Sequence, residues 1–449
     1  MDLLTYTLKA VAGAIITPPL VFILVMLAII FYLKNNKIIL MQKIILGGSV
    51  NSSIELTLSQ IVLGIIAGAI GSIILSSCGI VFDQNSGIMY LFLISMLLMF
   101  LKPRLICFSY SGAVLGGIGI LIKIISQLIP EIKYWTIINI DIIALMMFVG
   151  ILHVIEGLLV MIDGDRGAVP VFTSKDGNIL GGYALNRNWV LPIALMIALT
   201  VNNNILEYGT ISLQISSWWP LIKAPSLLKI IATSVISIIP FYAVLGYSSV
   251  TFTRSKREKA ISSGLHILIY GIILMLVAQL ARIGIVGEII VIIFAPIGHE
   301  FMLNIQMKSE AKREPKFISD EEGLIILEIA SDSEIREFGL KNGAKLLSIN
   351  NKSINSEADI YSILKESLYK AVLKVKDSNG VVRDIDLKHD RNKRLGILLV
   401  PKTVDTEDIL PVENNDFKGV LNSLKNKKDN EEHSSNKNDK IDDKNDKHK

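Results

Sequence analysis

Three ionisable side chains stand out because the stretches around them are otherwise too oily to hold them. His153 and Glu156 are spaced i,i+3 within the apolar run 137–162, so a helix there puts both on one face. Glu288 lies within the run 283–297, and His299 and Glu300 follow it directly. Ionisable groups at membrane depth are costly, and each calls for a functional account. Three uses compete: hydrogen bonds that fix one helix against another, a proton or ion path, and a metal site. A hydrolytic zinc site needs two His at i,i+4 on one helical face, with Glu beside the first as base. His299–Glu300 is followed at i+4 by Leu303, and His153 by Gly157. The required face is missing, so no catalytic residue is assigned and no metal or other cofactor is expected. Interhelical hydrogen bonding is the expectation for His153, Glu156 and Glu288.

A second chemical-looking stretch is the loop 163–189. Asp163, Asp165 and Arg166 between Gly164 and Gly167 suit an anion or metal contact. They equally suit an ordinary turn, because Asp163–Gly164 and Asp176–Gly177 are turn dipeptides. Gly181–Gly182 precede an apolar run, but the strand and spacing of a phosphate loop are absent. A structural turn is the expectation here.

The elements that must position these groups follow from composition. The 449 residues leave room for two or three domains. Hydrophobic residues make up 51% and the mean hydropathy is +0.51, high for a soluble chain. A net charge of +4 gives no argument for nucleic acid. Cys78 and Cys107 are the two cysteines, too few for a zinc-type cysteine cluster or a disulfide framework. A hydrocarbon core needs about 20 apolar residues as helix. The run 11–33 is long enough, further candidates are 58–81, 88–101, 105–128, 137–162, 190–206, 227–250 and 265–281, and a short run at 283–297 makes a ninth. The first lacks a basic leader and a small-residue cleavage pattern, so an anchor is expected rather than a signal peptide. Lys and Arg cluster at 34–43, 102–104, 166–187, 254–259 and 308–316, in alternate connecting segments. The positive-inside rule then places the N-terminus outside and the C-terminal region in the cytoplasm. Cys78 and Cys107 fall on opposite faces. Gly64, Gly68 and Gly71, and Gly112, Gly116, Gly117 and Gly119, let helices approach closely.

After the oily part the chain changes character. Residues 304–321 are charged and suit contact with anionic membrane lipids. Residues 402–449 are a polar, nearly charge-balanced tail, expected to be disordered. Between them, 322–401 reads as a small folded unit. Strands are expected at 324–329, 345–349, 371–376, 381–388 and 395–400. Ser333 is placed to cap a short helix that Gly339 stops. Asn350–Asn351 and Ser378–Asn379–Gly380 are turns. Ile360, Ile363, Leu364 and Leu368 recur at helical spacing within 356–368.

This unit resembles a PDZ domain, in the strand 324–329, the stretch 331–340 ending in Gly339–Leu340, then Gly343, the strand 347–350 and the helix 357–364. It looks like the circularly permuted bacterial form, in which the ligand strand comes last. The resemblance implies that Arg394, Leu395, Gly396 and Ile397 form a loop that grips a peptide or protein C-terminus. Ile360, Ile363 and Leu364 then line the groove. The family usually carries Asp after the second Gly; here Ala344 stands there, which loosens that turn.

The arrangement as a whole resembles the polytopic membrane proteins of the Min division-site system in Gram-positive rods. The matching places are the start 3–33 with Pro18–Pro19, His153-Val-Ile-Glu156, Gly164-Asp-Arg-Gly167, Gly181–Gly182 and Trp189–Pro192. The basic loop 247–259, Gly298-His-Glu300 and the C-terminal unit complete them. The resemblance implies a scaffold without catalytic residues, held in the cell membrane and enriched at septum and poles. Its cytoplasmic contacts would link a polar landmark protein to the Min ATPase; self-association into a homo-oligomer is left open. The fold class expected is an α-helical polytopic membrane bundle of about eight or nine spans over 1–303. A charged linker (304–321), a small α+β PDZ-like domain (322–401) and a disordered tail (402–449) follow. The alternatives are a PDZ-bearing intramembrane metalloprotease relative, active or degenerate, and a transporter.

Overall fold

The computed structural model describes residues 2–101, 103–129, 139–175, 177–200, 218–222, 234–366, 370–388 and 395–402. Its helices are α1 (Leu3–Ile16), α2 (Leu20–Leu46), α3 (Ser53–Cys78), α4 (Tyr90–Leu101), α5 (Phe108–Leu128), α6 (Ile142–Asp163), α7 (Lys256–Ala278) and α8 (Ile285–Ala311). Among the described residues, six helices are long and apolar enough to cross a membrane: α2, α3, α5, α6, α7 with the turn that follows it, and α8. Their outward faces are apolar too. Phe22, Met26, Ile29 and Leu33 on α2 are exposed, as are Val286, Ile290, Ile293, Ile297 and Phe301 on α8. Helical rows of large exposed hydrophobics are costly in water and favourable in lipid, so the chain is a multi-pass membrane protein. At the centre stands α6, whose Met146, Phe148, Val149 and Leu152 are all buried. It packs on α7 through facing glycines. A Cβ on Gly157 would meet the Gly264 carbonyl at 2.6 Å, and one on Gly264 would meet the Gly157 carbonyl at 2.5 Å. Gly150 and Gly271 repeat the contact two turns away.

Five expected spans need correction. The run 11–33 is two helices, because Pro18 and Pro19 supply no N–H to continue α1. The run 88–101 yields only the 12-residue α4. The short run 283–297 is the first half of a 27-residue helix, α8. Most important, 190–206 and 227–250 are not helices where they are described. Residues 178–200 form a strand, β3 (Asn178–Thr200), which pairs with β4 (Ser234–Thr251) in one continuous antiparallel register from Tyr183 opposite Thr251 to Thr200 opposite Ser234. The reason is in the composition. Both runs carry many β-branched residues, the second also Phe241, Tyr242 and Tyr247, and Pro192 and Pro240 fall inside them, which disfavours helix and suits an edge of a sheet. Hydropathy alone does not separate the two structures. The strand β2 (Val169–Lys175) pairs antiparallel with the start of β3, and β1 (Val81–Asp83) pairs parallel near its end.

Helix α3 covers the stretch of β3 between β1 and β2. A Cβ on Gly64 would lie 2.1 Å from the Val190 carbonyl, and one on Gly68 would lie 2.3 Å from the Pro192 carbonyl. These glycines therefore admit a strand, not the neighbouring helix that was expected. Only Gly71 faces a helix, meeting Ile155 of α6 at 3.5 Å. The strand edge turned to α3 is also satisfied: Ala194 N–H donates to Ser72 Oγ at 2.9 Å, and Pro192 has no N–H to leave unpaired.

The C-terminal unit follows its reading closely. Its strands are β5 (Leu324–Ile329), β6 (Lys345–Ile349), β7 (Lys352–Ser353), β8 (Lys370–Lys376), β9 (Val382–Lys388) and β10 (Ile397–Leu399), with helix α9 (Glu357–Glu366) before β8. The sheet order is β10-β5-β6-β8-β9, with β7 on β6. Asn350 and Asn351 have φ of 51° and 61°, as the turn between β6 and β7 requires. The charged segment 304–321 begins as the last turns of α8, and its Phe317 is buried. The tail from 403 on lies outside the described residues.

Candidate functional site: a buried histidine–cysteine cluster

The polar groups singled out from sequence are partly brought together. His153 of α6 is 2% exposed. Its Nδ1 donates to the Val149 carbonyl at 2.7 Å, one turn back. That leaves Nε2 as the lone-pair nitrogen. Nε2 lies 3.0 Å from Cys107 Sγ and 3.2 Å from Ser109 Oγ, both at the start of α5. Ser109 Oγ is 2.8 Å from the Tyr270 hydroxyl of α7, which donates to the Ala295 carbonyl of α8 at 2.6 Å. His299 of α8 enters from the far side. Its ring stands edge-on to His153 at 5.8 Å and to Tyr270 at 5.5 Å. Its Nδ1 is 3.3 Å from the Tyr110 hydroxyl, which donates to the Glu300 carboxylate. One ligand-type atom from each of Cys107, His153 and His299 lies within 4.8 Å of the other two. Glu156, half-buried, is within electrostatic reach of all three.

Sequence spacing hid this assembly. Cys107 was weighed only as a cysteine and His299 only as a residue after a span; the fold joins them from three helices. Tyr110 and Tyr270 gave no signal of their own. Glu288, by contrast, belongs elsewhere: in the first turn of α8 it pairs with Lys123 of α5 at 2.7 Å.

The loop 163–189 is a second buried polar centre. Asp163 ends α6 and is fully buried. Its Oδ2 accepts from Arg187 Nε at 2.9 Å, from Arg187 Nη2, and from Trp189 Nε1 at 2.9 Å. Arg187 also donates to Ser59 Oγ at 2.6 Å and reaches the Leu56 carbonyl at 3.4 Å. The constellation ties α6, β3 and α3 together with a desolvated ion pair. Asp165 sits outside it, bonded to Arg257 at 3.2 Å.

Of the residues expected to bind a peptide, Leu395, Ile397, Ile360, Ile363 and Leu364 are buried in one cluster of the C-terminal unit. Gly396 has φ of +67°, and a Cβ there would lie 3.0 Å from Ser333 Cβ. Arg394 lies outside the described residues. Strand β10 ends the sheet path, with β5 on one side.

This unit docks on the membrane part. The Tyr183 hydroxyl of β3 donates to the Leu327 carbonyl of β5 and accepts from Asn342 Nδ2 at 3.1 Å. Glu328 receives Lys256 of α7 at 2.5 Å and Asn342 at 2.8 Å. Gly181 N–H donates to the Phe317 carbonyl at 2.9 Å, and a Cβ on Gly181 would strike Val400 at 2.7 Å. The Gly181–Gly182 pair thus serves close approach.

No family model matches the chain, and no solved structure matches it. A curated protein does: the cell division topological determinant MinJ of Bacillus subtilis strain 168, 24% identical over 274 residues. The match takes in 59% of this chain, which spans 63% of the length of that relative. Over that stretch the chain is similar to MinJ, and with its long apolar helices it is a MinJ-like membrane protein.

Proposed function

We propose that this chain is an integral-membrane scaffold for division-site selection, working through protein–protein contacts on its cytoplasmic side. The observation that carries the reading is the similarity to MinJ, a protein named as a cell division topological determinant. The partners we propose are a polar landmark protein and the Min ATPase, with membrane lipids around the helices. A fluorescent fusion at the N-terminus, using a fluorophore that works outside the membrane, tests it. Enrichment at septa and young poles is expected; a uniform membrane signal would remove the role.

The same reading takes residues 322–401 as a PDZ-like unit that receives a peptide or protein C-terminus along 394–397. Support comes from β10 at the end of the sheet, where an added strand finds an edge. A positive-φ glycine at 396 and an apolar cluster of Leu395, Ile397, Ile360, Ile363 and Leu364 beside it agree. Gly396→Val forces a β-branched residue into the left-handed region. The variant should insert in the membrane normally and lose co-purification of the landmark protein; undiminished co-purification would show that the contact lies elsewhere.

A further inference from the structure

We propose that Cys107, His153 and His299 bind a divalent metal ion of the zinc class, which clasps α5, α6 and α8 inside the bundle. The donor set is one thiol and two imidazoles, drawn from three helices and converging within 4.8 Å. One thiolate and two imidazoles are a common tetrahedral zinc set. At ordinary zinc bond lengths a sulfur and a nitrogen ligand sit about 3.6 Å apart. The present 3.0 Å between Cys107 Sγ and His153 Nε2 therefore needs an outward shift of a few tenths of an ångström, within side-chain play.

What points to a metal rather than to a plain hydrogen-bond cluster is the orientation of both rings. A ligating histidine usually donates its other ring N–H to a carbonyl or carboxylate, which fixes the tautomer. His153 Nδ1 does this to the Val149 carbonyl. His299 Nδ1 does it to the Tyr110 oxygen, whose own proton goes to Glu300. In each ring the Nε2 lone pair is left as the ligand. The donors available to His153 Nε2 are weak or shared. A thiol is a poor donor, and Ser109 has a single proton for both Nε2 and the Tyr270 oxygen, because Tyr270 gives its own to Ala295.

Charge favours the same assignment. Binding releases the Cys107 proton and leaves a thiolate. That anion and the Glu156 carboxylate balance a divalent cation, so the low-dielectric centre becomes neutral overall. Glu156 shares α6 with His153 at i,i+3, so the helix puts both on one face. Were its side chain to rotate toward the three donors, Glu156 would be the fourth ligand; otherwise water takes that position. The role that follows is mechanical: a structural closed site contributes directly to folding stability.

The test uses the full chain, purified in detergent through a tag without histidines and measured by elemental mass spectrometry. Roughly one zinc per chain is expected. Cys107→Ser and His299→Ala should each remove at least about nine-tenths of it, whereas His266→Ala, on a histidine of α7 bonded to the Ser262 carbonyl and outside the donor set, should leave it unchanged. Cobalt substitution gives a readout independent of any variant, because a thiolate ligand adds a sulfur-to-cobalt charge-transfer band. Tyr110→Phe keeps the packing and frees His299, and should weaken affinity about 10–100-fold. Wild-type protein with less than about a tenth of a zinc per chain and no such band overturns the proposal. So does a Cys107→Ser/His153→Ala protein that keeps its zinc.

Discussion

Arg187 and Asp163 show how one residue pair can hold three elements. Both are buried, and the carboxylate has its hydrogen bonds from Arg187 and Trp189 on one oxygen. Removing one partner of a buried pair strands the other charge, at a cost of about 3–5 kcal/mol. Arg187→Leu should therefore lower the thermal midpoint of the detergent-solubilised protein by many degrees. Arg187→Leu/Asp163→Asn should recover part of the loss, since no charge is then stranded. A midpoint unchanged in the single variant would mean that the pair is not desolvated. In the C-terminal unit the reasoning gives a pH dependence. Asp359 accepts from the Asn355 and Ser356 N–H groups at 2.9 and 3.0 Å, and its own N–H donates to Ser356 Oγ. Those two backbone donors hold its carboxyl below the usual range. A depressed carboxyl contributes stability above its unfolded value, about 3.9, and loses it as pH falls through the folded value. Hydrogen exchange in α9, taken relative to the intrinsic rate at each pH, should quicken below about pH 4. Asp359→Asn should quicken it at neutral pH, with the difference from wild type vanishing in acid. At this scale the sequence was a fair guide where chemistry is local: the turn asparagines, the stop at Gly339 and the polar pair on α6 were all legible. Cys107 beside His153 was not, because its partner is supplied by a distant turn of chain.

Helices and strands obeyed their composition where one face had to be chosen. The short apolar run 324–329 and the turn signal before 381–388 placed β5 and β9 to within a residue. The runs 190–206 and 227–250 went the other way, because a hydropathy window reads oiliness and not backbone. Their internal prolines were the available warning. The glycines of α3 carry the sharpest element-scale test. Gly68→Ala puts a methyl within 2.3 Å of a carbonyl, too close for any real contact, so α3 and β3 must part and the purified protein should lose thermal stability by several degrees. Gly117→Ala on α5, where a Cβ meets nothing within 4 Å, should be neutral or slightly stabilising, since alanine is the better helix former. Equal behaviour of the two variants would refute the packing of α3 on a strand edge.

As a whole the molecule couples an oily bundle to a folded C-terminal unit through Tyr183, Gly181, Lys256 and Glu328. Composition set those two bodies apart but gave no sign of their docking, which rests on a loop that looked like a plain turn. Gly181→Val should free the unit, seen as faster proteolysis near 312–320 with the helices still in the membrane; an unchanged cleavage pattern would mean the contact is not needed. The long β3–β4 pairing has a further consequence, for synthesis. A transmembrane helix satisfies its own backbone as it leaves the ribosome, whereas a strand edge inside lipid has no such recourse. The glycine face of α3 is made roughly a hundred residues before the strand it serves, and β4 comes later still. It is therefore β3, not α3, that must be sheltered until β4 arrives to pair with it.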